Sequence, residues 1–182
     1  MTVMKSHGLS TIDDLLNTPE DGQKYELVDG EIIVSPAGMR HSEIGIQIAH
    51  LLKTYIDDSP IGRVLGSDVG IILPNGNLRS PDVSFVSFEK LPKGNTPVMF
   101  GKIIPDLVVE VLSPNDSMRQ VADKIAEFLE AGVPLIWLVD PEKQTVTVYR
   151  SLTDTTQLTA SDTINAVPML PGFSSKVSNF FS

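Results

Sequence analysis

The stretch 106–140, DLVVEVLSPNDSMRQVADKIAEFLEAGVPLIWLVD, decides the fold. Leu107-Val108-Val109-Glu110-Val111-Leu112 is almost continuously apolar, the pattern of a strand covered on both faces. Ser113-Pro114-Asn115-Asp116 breaks it. Met118, Val121, Ala122, Ile125, Phe128 and Leu129 then recur along one helical face. Ser117 and Gln120 can form a capping box, and Gly132 is a natural C-terminal stop. Leu135-Ile136-Trp137-Leu138-Val139 is a second buried strand, closed by Asp140-Pro141. A strand–helix–strand unit of this length predicts a parallel or mixed sheet with a right-handed crossover.

Upstream, residues 25–28 and 31–34 alternate around Asp29-Gly30, which readily supplies the positive φ values of a two-residue hairpin turn. Ser10 or Thr11 can cap a short helix through Leu16, with Asp13 and Asp14 in its first turn. Pro19 to Gly22 is a break. Ile44, Ile48, Leu51, Leu52 and Tyr55 mark a second amphipathic helix, ending near residues 57–60. Extended stretches follow at 63–66 and 69–73, then a turn at 74–77 and a strand at 83–86 opened by Pro81. Residues 90–101 read as an exposed loop. Residues 145–150 alternate as an edge strand would, and the tail through Phe181 reads as a short cover. The expectation is an α/β fold: a mixed sheet flanked by helices, with an N-terminal hairpin, over one domain spanning 1–182. Residues 1–22 would be an N-terminal helical extension.

The chain has 182 residues, enough for one real core, and no cysteine. Disulfides, thiolate metal sites and a cysteine nucleophile are therefore excluded. Its 14 basic and 23 acidic residues leave a net charge of −9. Broad phosphate neutralisation of the kind that coats DNA needs the opposite sign. A small metal-dependent site does not, provided a local basic rim receives the substrate. The first ten residues lack the apolar core of a signal peptide, and no apolar run approaches a membrane span. A cytoplasmic protein without membrane attachment is expected. Walker loops, dinucleotide fingerprints and G-x-S-x-G elbows are absent.

Two carboxylates stand out because their neighbours are apolar. Asp82 begins the strand Pro81-Asp82-Val83-Ser84-Phe85-Val86, and Glu110 lies late in its strand. An ionised carboxylate there costs several kcal/mol unless paired or metal-bound. Two on adjacent strands can grip one hard divalent cation, Mg2+ or Mn2+, which can activate water and hold a phosphate. Lys124 lies at the border of the helical stripe, roughly 60° from Val121 and about 40° from Phe128. Such a lysine buries its stem and directs its ammonium outward, where it can orient water or oppose phosphate charge. Glu31, beside the hairpin turn, and Glu26 across it are further candidates, either as an additional metal ligand or as a group supporting one; an exposed hairpin carboxylate is an equal reading for Glu31 and the favoured one for Glu26. His41, near a helix start, could contact phosphate, shuttle a proton or act as a partly buried cap. Arg40, Arg79 and Arg119 flank the proposed site in sequence and are candidate phosphate contacts; Lys90, Lys93 and Lys102 belong to the same basic set. His7 and His50 have no evident role.

Pro81-Asp82 followed by Val109-Glu110-Val111 resembles the PD-(D/E)xK nuclease signature. The motifs Tyr25-Glu26-Leu27-Val28-Asp29-Gly30-Glu31, Pro81-Asp82, Pro105-Asp106-Leu107-Val108-Val109-Glu110-Val111-Leu112-Ser113-Pro114, residues 131–141 and residues 167–173 together resemble the Uma2 (DUF820) family. The resemblance spans roughly 25–181. It implies a restriction-endonuclease-like fold and a Mg2+-dependent endonuclease acting on DNA, with Asp82 and Glu110 as metal ligands. The usual lysine position, two residues after the glutamate, holds Leu112. By resemblance to nucleases whose lysine has moved to the following helix, Lys124 takes that place. Double-strand cleavage implies a homodimer, with the tail and the 90–101 loop as interface elements. Two alternatives stand beside this reading: a catalytically inactive nucleic-acid- or protein-binding module of the same fold, and a metal-dependent hydrolase of another substrate.

Overall fold

The computed structural model describes residues 2–4, 8–19, 21, 23–34, 38–114 and 116–182. His7, Gly22 in the 19–22 break and Asn115 in the 113–116 break lie outside the described residues. Among the described residues three sheets and three α-helices are laid down in chain order.

The first sheet is antiparallel and runs β1-β3-β2-β6-β5. Its strands are β1 (Thr2–Met4), β2 (Tyr25–Val28), β3 (Glu31–Val34), β5 (Ile71–Ile72) and β6 (Leu78–Arg79). The hairpin forms as expected, with Asp29 at φ 50° and Gly30 at φ 78°. Its two-residue turn sets the register: Val28 faces Glu31, and Glu26 faces Ile33 rather than Glu31. The N-terminal extension is only partly helical. Helix α1 (Ile12–Leu16) is capped by Thr11, whose hydroxyl accepts the Asp14 N–H while Asp14 accepts from the Thr11 N–H. Thr2–Met4, however, is a strand on β3. Leu15, Leu27, Ile32 and Leu78 form the core of this layer.

The six-stranded sheet runs β11-β10-β9-β8-β7-β4. Its members are β4 (Gly62–Leu65), β7 (Val83–Ser87), β8 (Leu107–Val111), β9 (Ile136–Asp140), β10 (Thr145–Tyr149) and β11 (Thr155–Thr159). Strands β8 and β9 are parallel, joined through α3 (Met118–Glu130), while β7 and β8 are antiparallel. Ser117 is the N-cap of α3 but its side chain makes no capping bond. Gly132, at φ 95°, lets the chain turn out of the helix. Strand β10 is not an edge, because β11 pairs outside it.

Alternation sends the sheet's two faces into different cores. Val109, Val111 and Trp137 face α2 (Met39–Asp58), which contributes Ile44, Ile48, Leu52 and Ile56. The tail packs into this same core instead of lying over it. Strands β12 (Thr163–Ala166) and β13 (Leu170–Lys176) and the following 3-10 turn deliver Ile164, Leu170, Phe173, Val177 and Phe180. Phe173 and Phe180 pack on the Trp137 ring with centroids 6.0 and 5.8 Å away. Val108 and Ile136 face the other way, onto Ile125 and Phe128 of α3. Glu110, two residues after Val108, shares that face and so looks toward α3. Among the described residues no helix is long and apolar enough to cross a membrane.

Candidate active site

Asp82 sits one residue before β7, at the end of the sheet where β8 finishes. It is 7% exposed. One carboxylate oxygen receives the Lys24 ammonium at 2.9 Å. The other accepts the Val111 N–H at 2.8 Å and lies 3.0 Å from His41 Nε2. The Val111 bond ties Asp82 to the residue next to Glu110, so both carboxylates are held at one place by strand pairing. Burial alone would raise the Asp82 pKa. The His41 hydrogen bond and the charges of Lys24, His41 and Lys124 outweigh it and hold the group well below the usual carboxylate range. His41 is shifted upward: burial works against its charge, but the Asp82 contact prevails.

Glu110 projects from β8 toward α3. The Lys124 ammonium lies 2.9 Å from its Oε1 and 3.0 Å from its Oε2. Oε1 is buried and receives no hydrogen bond of good geometry. Burial, reinforced by the nearby Asp82 and Glu26 carboxylates, pushes the Glu110 pKa up to about 7 despite Lys124. For Lys124 burial acts in the opposite sense, but Glu110, Glu26 and Asp82 outweigh it and raise the ammonium above the ordinary lysine value. The Lys124 ammonium also lies 5.9 Å from the centre of the Phe128 ring, one turn along α3.

Glu26 corrects the expectation of an exposed hairpin carboxylate, being fully buried. Its Oε1 meets Lys124 at 3.0 Å and accepts the Ser80 N–H at 2.8 Å; its Oε2 lies 3.3 Å from Arg79. Arg79 then reaches Glu127, whose Oε2 accepts from Nε at 2.6 Å and Nη2 at 2.5 Å. Asn77 and Asn75 occupy the other Glu127 oxygen at 2.6 and 2.8 Å. Burial would raise the Glu26 pKa, but Lys124, Arg79, Lys24 and the Ser80 N–H lower it below the usual value.

Asp82, Glu110, Lys124, Lys24, His41 and Arg79 all line one cavity of about 440 Å³. The structure thus brings together His41 of α2, Asp82 before β7, Glu110 of β8 and Lys124 of α3. It does not bring the remaining candidates there as expected. Arg79 is buried and engaged by two carboxylates, so it is not free to meet a phosphate. Arg40 is exposed and donates to the Pro141 carbonyl at 2.8 Å. Arg119 is 91% exposed and lies 3.9 Å from Asp123. Glu31 is exposed at the hairpin turn and does not line the cavity. Lys90 pairs with Asp106, and Lys93 lies over the Phe88 ring, at the opposite end of β7. Among the described residues the expected basic rim is missing from the cavity wall. The lining cations Lys24, Arg79 and Lys124 are each paired to carboxylates, and Asp29, Asp116, Asp123 and Glu130 add further acidic groups to the lining. Lys24 and the burial of Glu26 escape sequence reasoning. The only available signal was that Lys24-Tyr25-Glu26 opens a half-buried hairpin strand.

Among the described residues no three His, Asp or Glu side chains gather as a metal-binding group. A cation here would have two protein carboxylates. That donor set is hard oxygen, and Mg2+ and Mn2+ retain waters in sites with few protein ligands. Glu110 Oε1 is buried and contacted by the Lys124 ammonium at 2.9 Å without a hydrogen bond of good geometry, and with this oxygen the residues fit such a cation.

The family model of Uma2, described as "Putative restriction endonuclease", matches residues 12–178. Among solved structures, the chain is similar to a "putative nuclease belonging to DUF820" from Anabaena variabilis. The TM-score is 0.82 at 26% identity, covering 94% of this chain and 97% of that one. No curated protein matches. The mixed sheet between α2 and α3 is restriction-endonuclease-like in fold, and the chain belongs to the Uma2 family.

Proposed function

We propose that this chain is a cytoplasmic endonuclease, one restriction-endonuclease-like domain that hydrolyses DNA phosphodiester bonds with the help of Mg2+ or Mn2+. The observation that carries this reading is the meeting of Asp82, Glu110 and Lys124 at one cavity, with Lys124 touching Glu110 although Leu112 occupies the usual lysine position. Asp82 and Glu110 would hold the cation. When bound, the cation supplies Lewis-acid charge against the phosphate and lowers the pKa of water.

The remaining work falls to the protein's own groups. Lys24 and His41 keep Asp82 ionised and fixed in direction. The Val111 N–H prevents the Asp82 carboxylate from swinging out of the wall. Lys124 presents a permanently charged ammonium beside the reacting phosphate, opposing the charge that builds as water attacks phosphorus. Burial of both carboxylates makes these interactions stronger than they would be in water. Cutting both strands requires two such sites, and a homodimer supplies them. Exposed Val98 and Met99 in the 90–101 loop suit that contact, whereas the tail is committed to the core.

Calorimetric titration with Mn2+ tests the reading against a binding module that kept only the fold. Wild type should bind one equivalent, and Asp82→Asn should not. Absence of binding by wild type overturns the enzyme reading.

A further inference from the structure

The Lys124 ammonium has two carboxylate neighbours, and the proposed cation needs one of them. If Glu110 were its only partner, cation and lysine would compete, and loading the site would leave a buried ammonium unpaired. That outcome is costly, because breaking a buried ion pair strands a charge. Glu26 also meets Lys124, at 3.0 Å, and is fully buried. It is itself held by the Ser80 N–H and by Arg79. Arg79 is anchored to Glu127, three residues after Lys124 on the same helix. The four side chains close a ring: Lys124 to Glu26, Glu26 to Arg79, Arg79 to Glu127, and back through one turn of α3. Asn75 and Asn77 donate to the other Glu127 oxygen.

Resting on the reading above, we propose that Glu26 is a positioning residue that keeps Lys124 in place when Glu110 turns to a divalent cation, with Arg79 and Glu127 holding Glu26 in register. Glu26 acts through Lys124 and is not itself a ligand. Lysine and cation then occupy the site together.

The test combines two readouts, neither of them cleavage. The first is the rate at which an amine-acylating reagent labels Lys124 in metal-free protein, followed by mass spectrometry. Glu26→Gln, which keeps an acceptor for the Ser80 N–H, should label about tenfold faster than wild type, as expected when one of two buried charge partners is lost. The second is Mn2+ affinity in a double-mutant cycle with Lys124→Met. Glu26→Gln should weaken Mn2+ binding about tenfold in the wild-type background, the usual effect of removing a partner of the metal shell. In the Lys124→Met background it should change nothing. Equal labelling rates overturn the proposal, and so does an equal loss of affinity in both backgrounds, which would make Glu26 a ligand. Should Glu26→Gln fail to fold, Glu127→Gln at the far side of the ring should raise labelling about threefold; no change would be equally fatal. Failure of wild type to bind Mn2+ strikes the nuclease reading instead, and the labelling comparison still decides this one.

Discussion

Two Pro-Asp pairs sit at opposite ends of the antiparallel strands β7 and β8. Pro81-Asp82 precedes β7, and Pro105-Asp106 precedes β8. Each aspartate is 7% exposed. Each accepts an N–H from the far end of the other strand: Asp82 from Val111 at 2.8 Å, Asp106 from Ser87 at 2.7 Å. Each also takes a lysine ammonium at 2.9 Å, Lys24 in one case and Lys90 in the other. As clamps on strand ends they are alike. The difference lies in what surrounds them. Asp82 shares a cavity with Glu110, Lys124 and His41, and Glu26 lies behind these. Asp106 does not line that cavity, and the one cation paired with it among the described residues is Lys90. A buried, paired aspartate is therefore not a functional signal by itself. In the proposed function it is the second carboxylate and the lysine beside it that would make the chemistry.

The sharpest way to break the comparison is to remove the charge at each end. Asp82→Asn should abolish Mn2+ binding and reduce cleavage by about a thousandfold or more, the scale of losing a main electrostatic element. Asp106→Asn should leave both unchanged. Next comes Lys124→Met, which should lower kcat about a hundredfold while Mn2+ still binds; titration beside a cleavage assay separates the two effects.

A smaller effect follows pH. With Glu110 pushed up to about 7, protons compete with the cation, so Mn2+ affinity should fall about tenfold for each pH unit below 7. Stability moves in the matching sense. A carboxyl raised in the folded state contributes stability below its ordinary value of 4.5, and that contribution is lost as pH rises through 7. Thermal melts of Glu110→Gln should therefore lack the decline that wild type shows across this window. Asp82, shifted downward, acts in reverse: its contribution is present at neutral pH and is lost on strong acidification. Smallest of all is Lys90→Met, at the other end of the strand pair. It should cost no more than about 1 kcal/mol in denaturant melts, the worth of a partly exposed ion pair, with activity intact.

What could be read from the sequence was what local periodicity encodes. The Asp29-Gly30 hairpin, the stripe of α3 and the buried strands on either side of it carry their signals within a dozen residues. The placing of Glu110 and Lys124 on facing surfaces follows from those periods. Other features depend on partners far along the chain. Strand β6 has two residues and exists because Leu78 pairs with Leu27 and Ile72. Residues 145–150 look like an edge strand until β11 is known to cover them. Glu26 reads as a solvated hairpin carboxylate until Arg79, 53 residues away, and Lys124 close over it. For the same reason Arg79 reads as a phosphate contact: its nearness to Asp82 is visible in the sequence, and its two carboxylate partners are not.

The most direct test of the central claim is Mn2+-dependent cleavage of DNA by wild type, Asp82→Asn and Asp106→Asn side by side. The account predicts equal cleavage by wild type and Asp106→Asn, and a loss of about a thousandfold or more in Asp82→Asn. Cleavage that survives Asp82→Asn undiminished, or that is lost equally in both variants, would contradict it.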